Sequence, residues 1–503
     1  MSKKYIKYIY MPEKNKCFSN CRLFEEPECN PPRCKYVNGQ TLKYCRLSHN
    51  YKMKKPTCNV TRKIKKKDAV THATKVIENL VKRSKKHLQF ICSDSGDCLA
   101  FGQKIAEINA FFKGFTDFTY AVSPIKQIGA VSVNGFVTEI GYQKEGYNAH
   151  AILKSARKAS SDNLVYEYLV GIKYVNRVMK YLPCFLETYG LYYYPSPSEW
   201  TIMSGTGPVH SSNLKKLELQ SAIDYSRACR ESKYASVLIQ HLKNARSMRH
   251  YISDNKYNTF MKRDMPYVLF VIYHALSSIS KTFTHYDLHD DNVLVYEPQK
   301  GKYIKYHYHH KDGTETTFHS PYIPKIIDYG RCFFDNGNLN ARKIYDKIRL
   351  EKDCKPNAGE YVGFNWLHPK PYVTISSSKK NESHDIRLLN IIQRKLEEII
   401  MGTRDPEPKE ATYVETEKLL RKIVYGVSIK DERQKGYGTK ENIKITSRRI
   451  YNVNGAYLAL KAVIQKPQLI AENDMNYLRA DDLIGTLHIY DDERPMKYEP
   501  KTD

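Results

Sequence analysis

The sequence predicts an α+β chain in which a small, mostly-β region precedes a larger, mostly-α one, with a basic, Cys-rich segment ahead of both. Three observations carry that expectation. Between residues 91 and 240, short runs rich in β-branched and aromatic residues recur, bounded by Gly, Asn or Lys. From 241 to 402 the apolar residues repeat instead at helical spacing. Residues 1–90 hold 23 Lys+Arg against 6 Asp+Glu, so +17 of the chain's net +27 lies there. The expected divisions are therefore 1–90, 91–240 and 241–503, with the fold of 403–503 left open.

The β-like runs are "GFVTEIGY" (135–142), "AHAILKSA" (149–156) and "YASVLIQHL" (234–242). Between the last two, "NLVYEYLVGIKYVNRVMKYL" (163–182) sets Leu164, Tyr168, Leu169 and Val175 at the spacing of an amphipathic helix. "YVLFVIYHALSSISKTF" (267–283) reads as a buried helix, and "VLVY" (293–296) and "PKIID" (324–328) read as short strands. "HDIRLLNIIQRKLEEIIMG" (384–402) has helical periodicity and ends on a Gly suited to a C-cap. Segments 191–233 and 298–322 read as insertions, the second as a hairpin turning at "HKDG" (310–313). The tract "YIKYHYHH" (303–310) is read as a half-buried strand in preference to a stacking surface for bases.

Composition narrows the class. No window approaches the ~18 apolar residues that span a bilayer. The N-terminus lacks a hydrophobic signal region and a cleavage site. An intracellular, non-secreted protein without a transmembrane segment is expected. Six of the twelve cysteines (Cys17, Cys21, Cys29, Cys34, Cys45 and Cys58) lie in the first 58 residues, with no C-x2-C pair among them. Their C-x3-C and C-x4-C pairs could supply four thiolates to Zn²⁺, with His49 as a spare ligand. Free thiols and disulfides are the alternatives. The basic runs "TRKIKKKD" (61–68) and "VKRSKKH" (81–87) would draw nucleic acid or an acidic protein to residues 1–90. A flexible arm without a specific target is the plainer reading.

The chemistry concentrates in "THYDLHDDNVLVYE" (284–297). Phosphoryl transfer from a nucleotide needs a carboxylate near the attacking hydroxyl, oxygen ligands for divalent ions, and a cation on the phosphates. Asp287 is suited to orient the hydroxyl and accept its proton, and Asn292 to offer an amide oxygen to Mg²⁺. Asp328, at the end of a strand and followed by Tyr329 and Gly330, could meet the same ion. Lys154 is a lone charge inside an otherwise apolar strand, which is costly unless it finds an anion. Glu167, thirteen residues later on the following helix, is its natural partner. His285 reads as a buried structural imidazole, and Asp290 and Asp291 as solvated loop acids.

HxDLxxxN, then DxG, preceded in order by a strand Lys and a helix Glu, resembles the protein-kinase family over about residues 125–402. The texture of "CSDSGDCLAFG" (92–102), "NGFVTEIGY" and "HYDLHDDNVLV" is similar to the divergent serine/threonine kinases of giant (nucleocytoplasmic large) DNA viruses. The resemblance implies a bilobal fold, ATP and Mg²⁺ as cofactors, a protein substrate, and a setting in host cytoplasm or virion. It also implies that Ile239 is the gatekeeper and that Gln240 to Leu242 offer backbone groups to adenine. Gly129 and Gly135, in "IGAVSVNGFV" (128–137), would form the phosphate loop, and Asp385 would brace the catalytic loop.

Several departures stand against the family pattern. The phosphate loop has two glycines where three are usual, with Ser132 or Asn134 as substitutes. Tyr286 replaces an Arg, His289 replaces a Lys, and no A-P-E follows Asp328. Asp287 and Asp328 are 41 residues apart. A small-molecule kinase and a catalytically silent nucleotide-binding scaffold or virion protein therefore stand as alternatives.

Overall fold

A computed structural model describes residues 34–38, 43–47, 91–92, 98–116, 118, 120–128, 135–156, 164–204, 214–216, 234–253, 259–348, 365–369, 372–402, 410–425 and 449–501. The chain divides into two units, 1–82 and 83–503. In the first, strands Cys34–Asn38 and Lys43–Leu47 pair antiparallel, with Tyr36 opposite Cys45. Cys17, Cys21, Cys29, Cys58, His49 and both basic runs lie outside the described residues.

The second unit is mixed α+β. Helix α1 (Lys104–Phe111) is an element that the sequence reading passed over. Strands β1 (Ala121–Ile128), β2 (Gly135–Lys144) and β3 (Tyr147–Ala156) follow. After helix α2 (Leu164–Val170) come β4 (Thr188–Tyr193) and β5 (Ala235–His241). The sheet order is β1-β2-β3-β5-β4, with the short strand Lys215–Lys216 at the far edge, and every neighbouring pair is antiparallel. Residues 191–193, expected in an insertion, therefore complete a sheet strand.

Period-two alternation buries Phe136, Ile140 and Tyr142 of β2 with Ala151 and Leu153 of β3 on one sheet face. Phe112 and Phe115, at the end of α1, cover that face. Phe115 stacks on Tyr189 at 4.4 Å and meets Tyr142 edge-on at 5.0 Å, geometries that aromatic quadrupoles favour. Lys154 points the other way, toward Glu167 of α2. That helix passes into a π turn (Gly171–Val175) and a last turn (Asn176–Val178), ending short of the expected Leu182. Gly171 is required where the helix crosses β4, because a Cβ there would lie 2.1 Å from Thr188 Oγ1.

Helix α3 (Met265–Ser278) is buried at every residue from Met265 to Leu276. Pro266 lies at the junction where a π turn (Phe260–Asp264) passes into this helix. The helix stops at Ser278 because Phe283 and Thr284 instead pair with Phe334 and Phe333. Strands β6 (Val293–Tyr296), β7 (Tyr303–His309), β8 (Glu315–Ser320) and β9 (Ile323–Ile326) come next. β6 pairs antiparallel with β9, Val293 facing Ile326, and β7–β8 form the expected hairpin.

Helices α4 (Arg387–Gly402), α5 (Ala411–Leu420), α6 (Val453–Ile464) and α7 (Pro467–Asn476) lead to β10 (Leu483–Tyr490) and β11 (Lys497–Pro500). β10 runs parallel to β7, giving a second sheet of order β8-β7-β10-β11. Tyr306, Tyr308, Leu487 and Ile489 bury its inner face, and Phe270 of α3 meets Tyr308 edge-on at 4.9 Å. The 298–322 hairpin is thus part of the main core, not an appendage. Among the described residues no helix is long and apolar enough to cross a membrane.

Two buried carboxyls set a pH dependence. Asp264, just before α3, accepts from Tyr477 Oη at 2.5 Å, and Glu187 accepts from Asn109 Nδ2 at 2.6 Å. Burial pushes both up to about 7, against the pull of these donors. Between an unfolded value of about 4 and 7, the folded chain holds protons that the unfolded chain has released. Stability therefore falls as pH rises through that window. Asp264→Asn keeps an acceptor for Tyr477 and is expected to narrow the difference in urea midpoint between pH 5 and pH 8. An unchanged difference would sink this assignment.

Candidate functional site

Three segments converge on one ammonium group. Lys154 leaves β3 on the face opposite Leu153. Its Nζ lies 2.7 Å from Glu167 Oε2 on α2 and 2.9 Å from Asp328 Oδ1 after β9. Glu167 is 3% exposed, whereas Asp328 keeps 42% of its side-chain surface open. Burial opposes the charge on Lys154, but Asp328 and Glu167 outweigh it and hold the ammonium well above its ordinary range. Burial raises Glu167 against the pull of Lys154. Asp328 goes the other way: burial would raise it, yet Lys154 brings it down to about 2.

Backbone hydrogen bonds lock the loops that carry the remaining groups. Ile327 N–H donates to Asn292 O at 3.0 Å, and Ile327 O accepts from His285 Nε2 at 2.9 Å. Asp328 is thereby delivered beside the 285–292 loop. His285 is fully buried, and burial lowers its pKa despite the nearby Asp385, so it acts as a neutral strut. Asp385 accepts from the backbone N–H of His285 at 2.6 Å and of Tyr286 at 2.9 Å. Tyr286 and Asp328 both adopt left-handed backbone, with φ of 64° and 68°, a conformation that L-residues adopt only when surroundings enforce it. Tyr286 is buried and donates its hydroxyl to Lys379 O.

Asn292 Nδ2 donates to Asp287 O at 2.9 Å, leaving its amide oxygen as the ligand-capable end. The Asp287 carboxylate faces two guanidiniums: Oδ1 accepts from Arg387 Nη1 at 3.0 Å, and Oδ2 lies 3.4 Å from Arg331 Nη1. Sequence reasoning missed both arginines. Their positions, two residues after Asp385 and one after Gly330, were the only signal. The reading of Asp290 as a solvated acid is corrected. It is 2% exposed and takes a two-point contact from Arg249 at 3.0 and 3.1 Å. Asp291 shares the same guanidinium at 2.8 Å. The His289, Asp290, Asp291 group has metal-ligand spacing, but Arg249 pairs with both of its acids.

The residues assigned to adenine divide. Register sets Ile239 opposite Ile152 and Val237 opposite Lys154, so Ile239 shares the face of the lysine. Gln240 and Leu242 instead line a cavity with Ile105, Phe115, His150 and Glu187, which contains none of Lys154, Asp287, Asn292 or Asp328. Gln240 N–H is taken by Glu187 O at 2.8 Å, and Leu242 O accepts from Ala245 N–H at 3.1 Å. Gly135 opens β2, and Gly129, Ser132 and Asn134 lie outside the described residues. No protein-family model matches the chain, and no curated protein matches it.

The site thus combines a cation between two acids, an amide on the loop bonded to the strand end that carries Asp328, and a carboxylate held by two arginines. Lys154→Met would leave Glu167 buried without its counter-charge and is expected to cost about 3 kcal/mol in urea unfolding at pH 8. Adding Glu167→Leu should recover part of that loss. A single variant as stable as wild type would contradict the ion-pair account.

Proposed function

We propose that the chain is a divergent protein kinase of bilobal, kinase-like fold, transferring the γ-phosphate of ATP to a Ser or Thr hydroxyl of a protein. The observation that carries this reading is Lys154 bridging Glu167 and Asp328, with Asn292 anchored on Asp287 beside them. Spacing in the sequence is compatible with many arrangements, whereas these contacts gather the charges that phosphoryl transfer requires.

The residues suit the implied cofactors. An ammonium has three donors, and Lys154 uses two on carboxylates, so one is left for a phosphate oxygen. Asn292 Oδ1 and the open, firmly ionised Asp328 are the hard oxygen ligands that Mg²⁺ prefers. Bound there, the ion would neutralise phosphate charge. Asp287 would orient the substrate hydroxyl and take its proton, while Arg387 and Arg331 fix the direction of its carboxylate. The likeness in texture to giant-virus kinases adds a setting in host cytoplasm or virion to this proposal, and residues 1–90 would recruit an acidic partner or nucleic acid.

One observation favours a second reading. Both carboxylate oxygens of Asp287 already face guanidiniums, which suits a silent nucleotide-binding scaffold in which no hydroxyl competes for them. His289 in place of a Lys keeps a small-molecule substrate in view.

The test is Mg²⁺-dependent transfer of labelled γ-phosphate to the chain itself and to a protein extract, followed by phosphoamino-acid analysis. Asp287→Asn is expected to lower transfer about 10²–10⁴-fold, the range for removing a general base, while ATP still binds. Asp328→Ala should abolish it. Full activity in both variants would refute the site. Binding without transfer would favour the scaffold, and turnover only on a metabolite panel the small-molecule kinase.

A further inference from the structure

We propose that the outer face of the β8-β7-β10-β11 sheet carries a binding site for a divalent transition-metal ion of zinc type, formed by His307, His309 and His488, with Glu315 as the outer carboxylate that orients the two β7 imidazoles. The site is independent of the kinase reading and lies on different elements from the Lys154 cluster.

Strand periodicity builds it. Tyr306 and Tyr308 point into the core, so His307 and His309 share the outer face of β7. Register then brings the third ligand and the outer carboxylate alongside: His488 of β10 faces His307, and Glu315 of β8 faces His309. The three imidazoles are 19%, 26% and 17% exposed, sheltered but reachable by an ion.

The ligand atoms of the three histidines lie within 4.8 Å of one another. His309 Nε2 and His488 Nδ1 are 3.1 Å apart, against an edge of about 3.3 Å in a zinc tetrahedron with nitrogen ligands. Glu315 reaches both β7 histidines, Oε2 lying 2.9 Å from His307 Nε2 and Oε1 3.2 Å from His309 Nδ1. Three imidazoles form a donor set that suits Zn²⁺, Co²⁺ or Ni²⁺ and not Mg²⁺.

Outer contacts orient the rings, as ligating histidines require. His488 Nε2 lies 3.5 Å from Glu499 Oε2, and His309 stacks on Tyr490 at 4.8 Å. A second group, His274, His310 and Asp491, also has ligand spacing, but it is a closed brace. Both carboxylate oxygens of Asp491 are taken, by His274 at 2.7 Å and His310 at 2.9 Å, and His310 Nε2 contacts Thr316. An ion at the outer site would tie β7 to β10 across nearly 180 residues of chain and clamp the C-terminal strands to the core.

The N-terminal thiols could also take zinc, so the test uses a metal whose spectrum reports its ligands. The full-length chain, reduced and stripped with chelator, is titrated with Co²⁺ and then Zn²⁺. The expected result is one equivalent of Co²⁺ with visible bands but no thiolate-to-metal charge transfer, displaced by Zn²⁺. Those bands should vanish in the His307→Gln/His488→Gln double variant with its circular dichroism unchanged. Zn²⁺ should raise the melting temperature of wild type more than that of the double variant. Glu315→Gln, at an exposed position, should weaken Co²⁺ binding about tenfold, which keeps the test available if the double variant fails to fold. Identical non-thiolate Co²⁺ binding in wild type and variants, or thiolate-bound Co²⁺ alone, would overturn the proposal.

Discussion

A single ammonium between two carboxylates is the constraint on which the second unit depends. Lys154 comes from a sheet, Glu167 from a helix thirteen residues later, and Asp328 from a loop 174 residues away. A desolvated cation with no anion is costly, and so is the buried Glu167 without the cation. The three groups therefore fix one another, and with them the positions of α2 and the loop after β9 relative to β3. The gain is positional more than energetic, because desolvation offsets much of the Coulomb attraction in a buried pair.

A second layer of order comes from the backbone. Ile327 is held from one side by His285 and from the other by Asn292, while Asp385 grips the amides of His285 and Tyr286. These bonds keep Tyr286 and Asp328 in left-handed conformations next to the groups proposed to react. Asp385 illustrates the economy of the arrangement. One buried carboxylate satisfies two loop N–H groups that would otherwise be orphaned, and Tyr273 of α3 in turn donates to its carbonyl at 2.9 Å.

The charges of the candidate site are balanced. Lys154, Arg331 and Arg387 face Glu167, Asp287 and Asp328. In the proposed kinase reading, this balance leaves the site ready for a polyanion and its divalent counter-ion together, since either alone would upset the charge. The proposed metal site follows a different logic. It sits on a sheet face, where register alone aligns the donors, and its proposed role is to hold chain segments together.

Several features were legible in the sequence because they depend on local pattern. Alternation marked β2 and β3, helical spacing marked α2 to α4, and Lys154, Glu167 and Asp328, each singled out along the sequence, meet in one ion cluster. The turn of the β7–β8 hairpin was visible in "HKDG". What the sequence left undetermined was partnership at long range. Residues 191–193 and 298–322 looked like insertions because their partner strands are distant in the chain, β10 lying some 180 residues beyond β7. Arg331, Arg387 and Arg249 were indistinguishable from other surface arginines until the fold brought acids to them. His307 and His309 could be seen to share a strand face, but His488 joins them only through a parallel register. The sequence by itself determined which residue types were available and which face each would occupy, because backbone periodicity is local. The tertiary structure alone decided which charges met, because that depends on how distant segments pack.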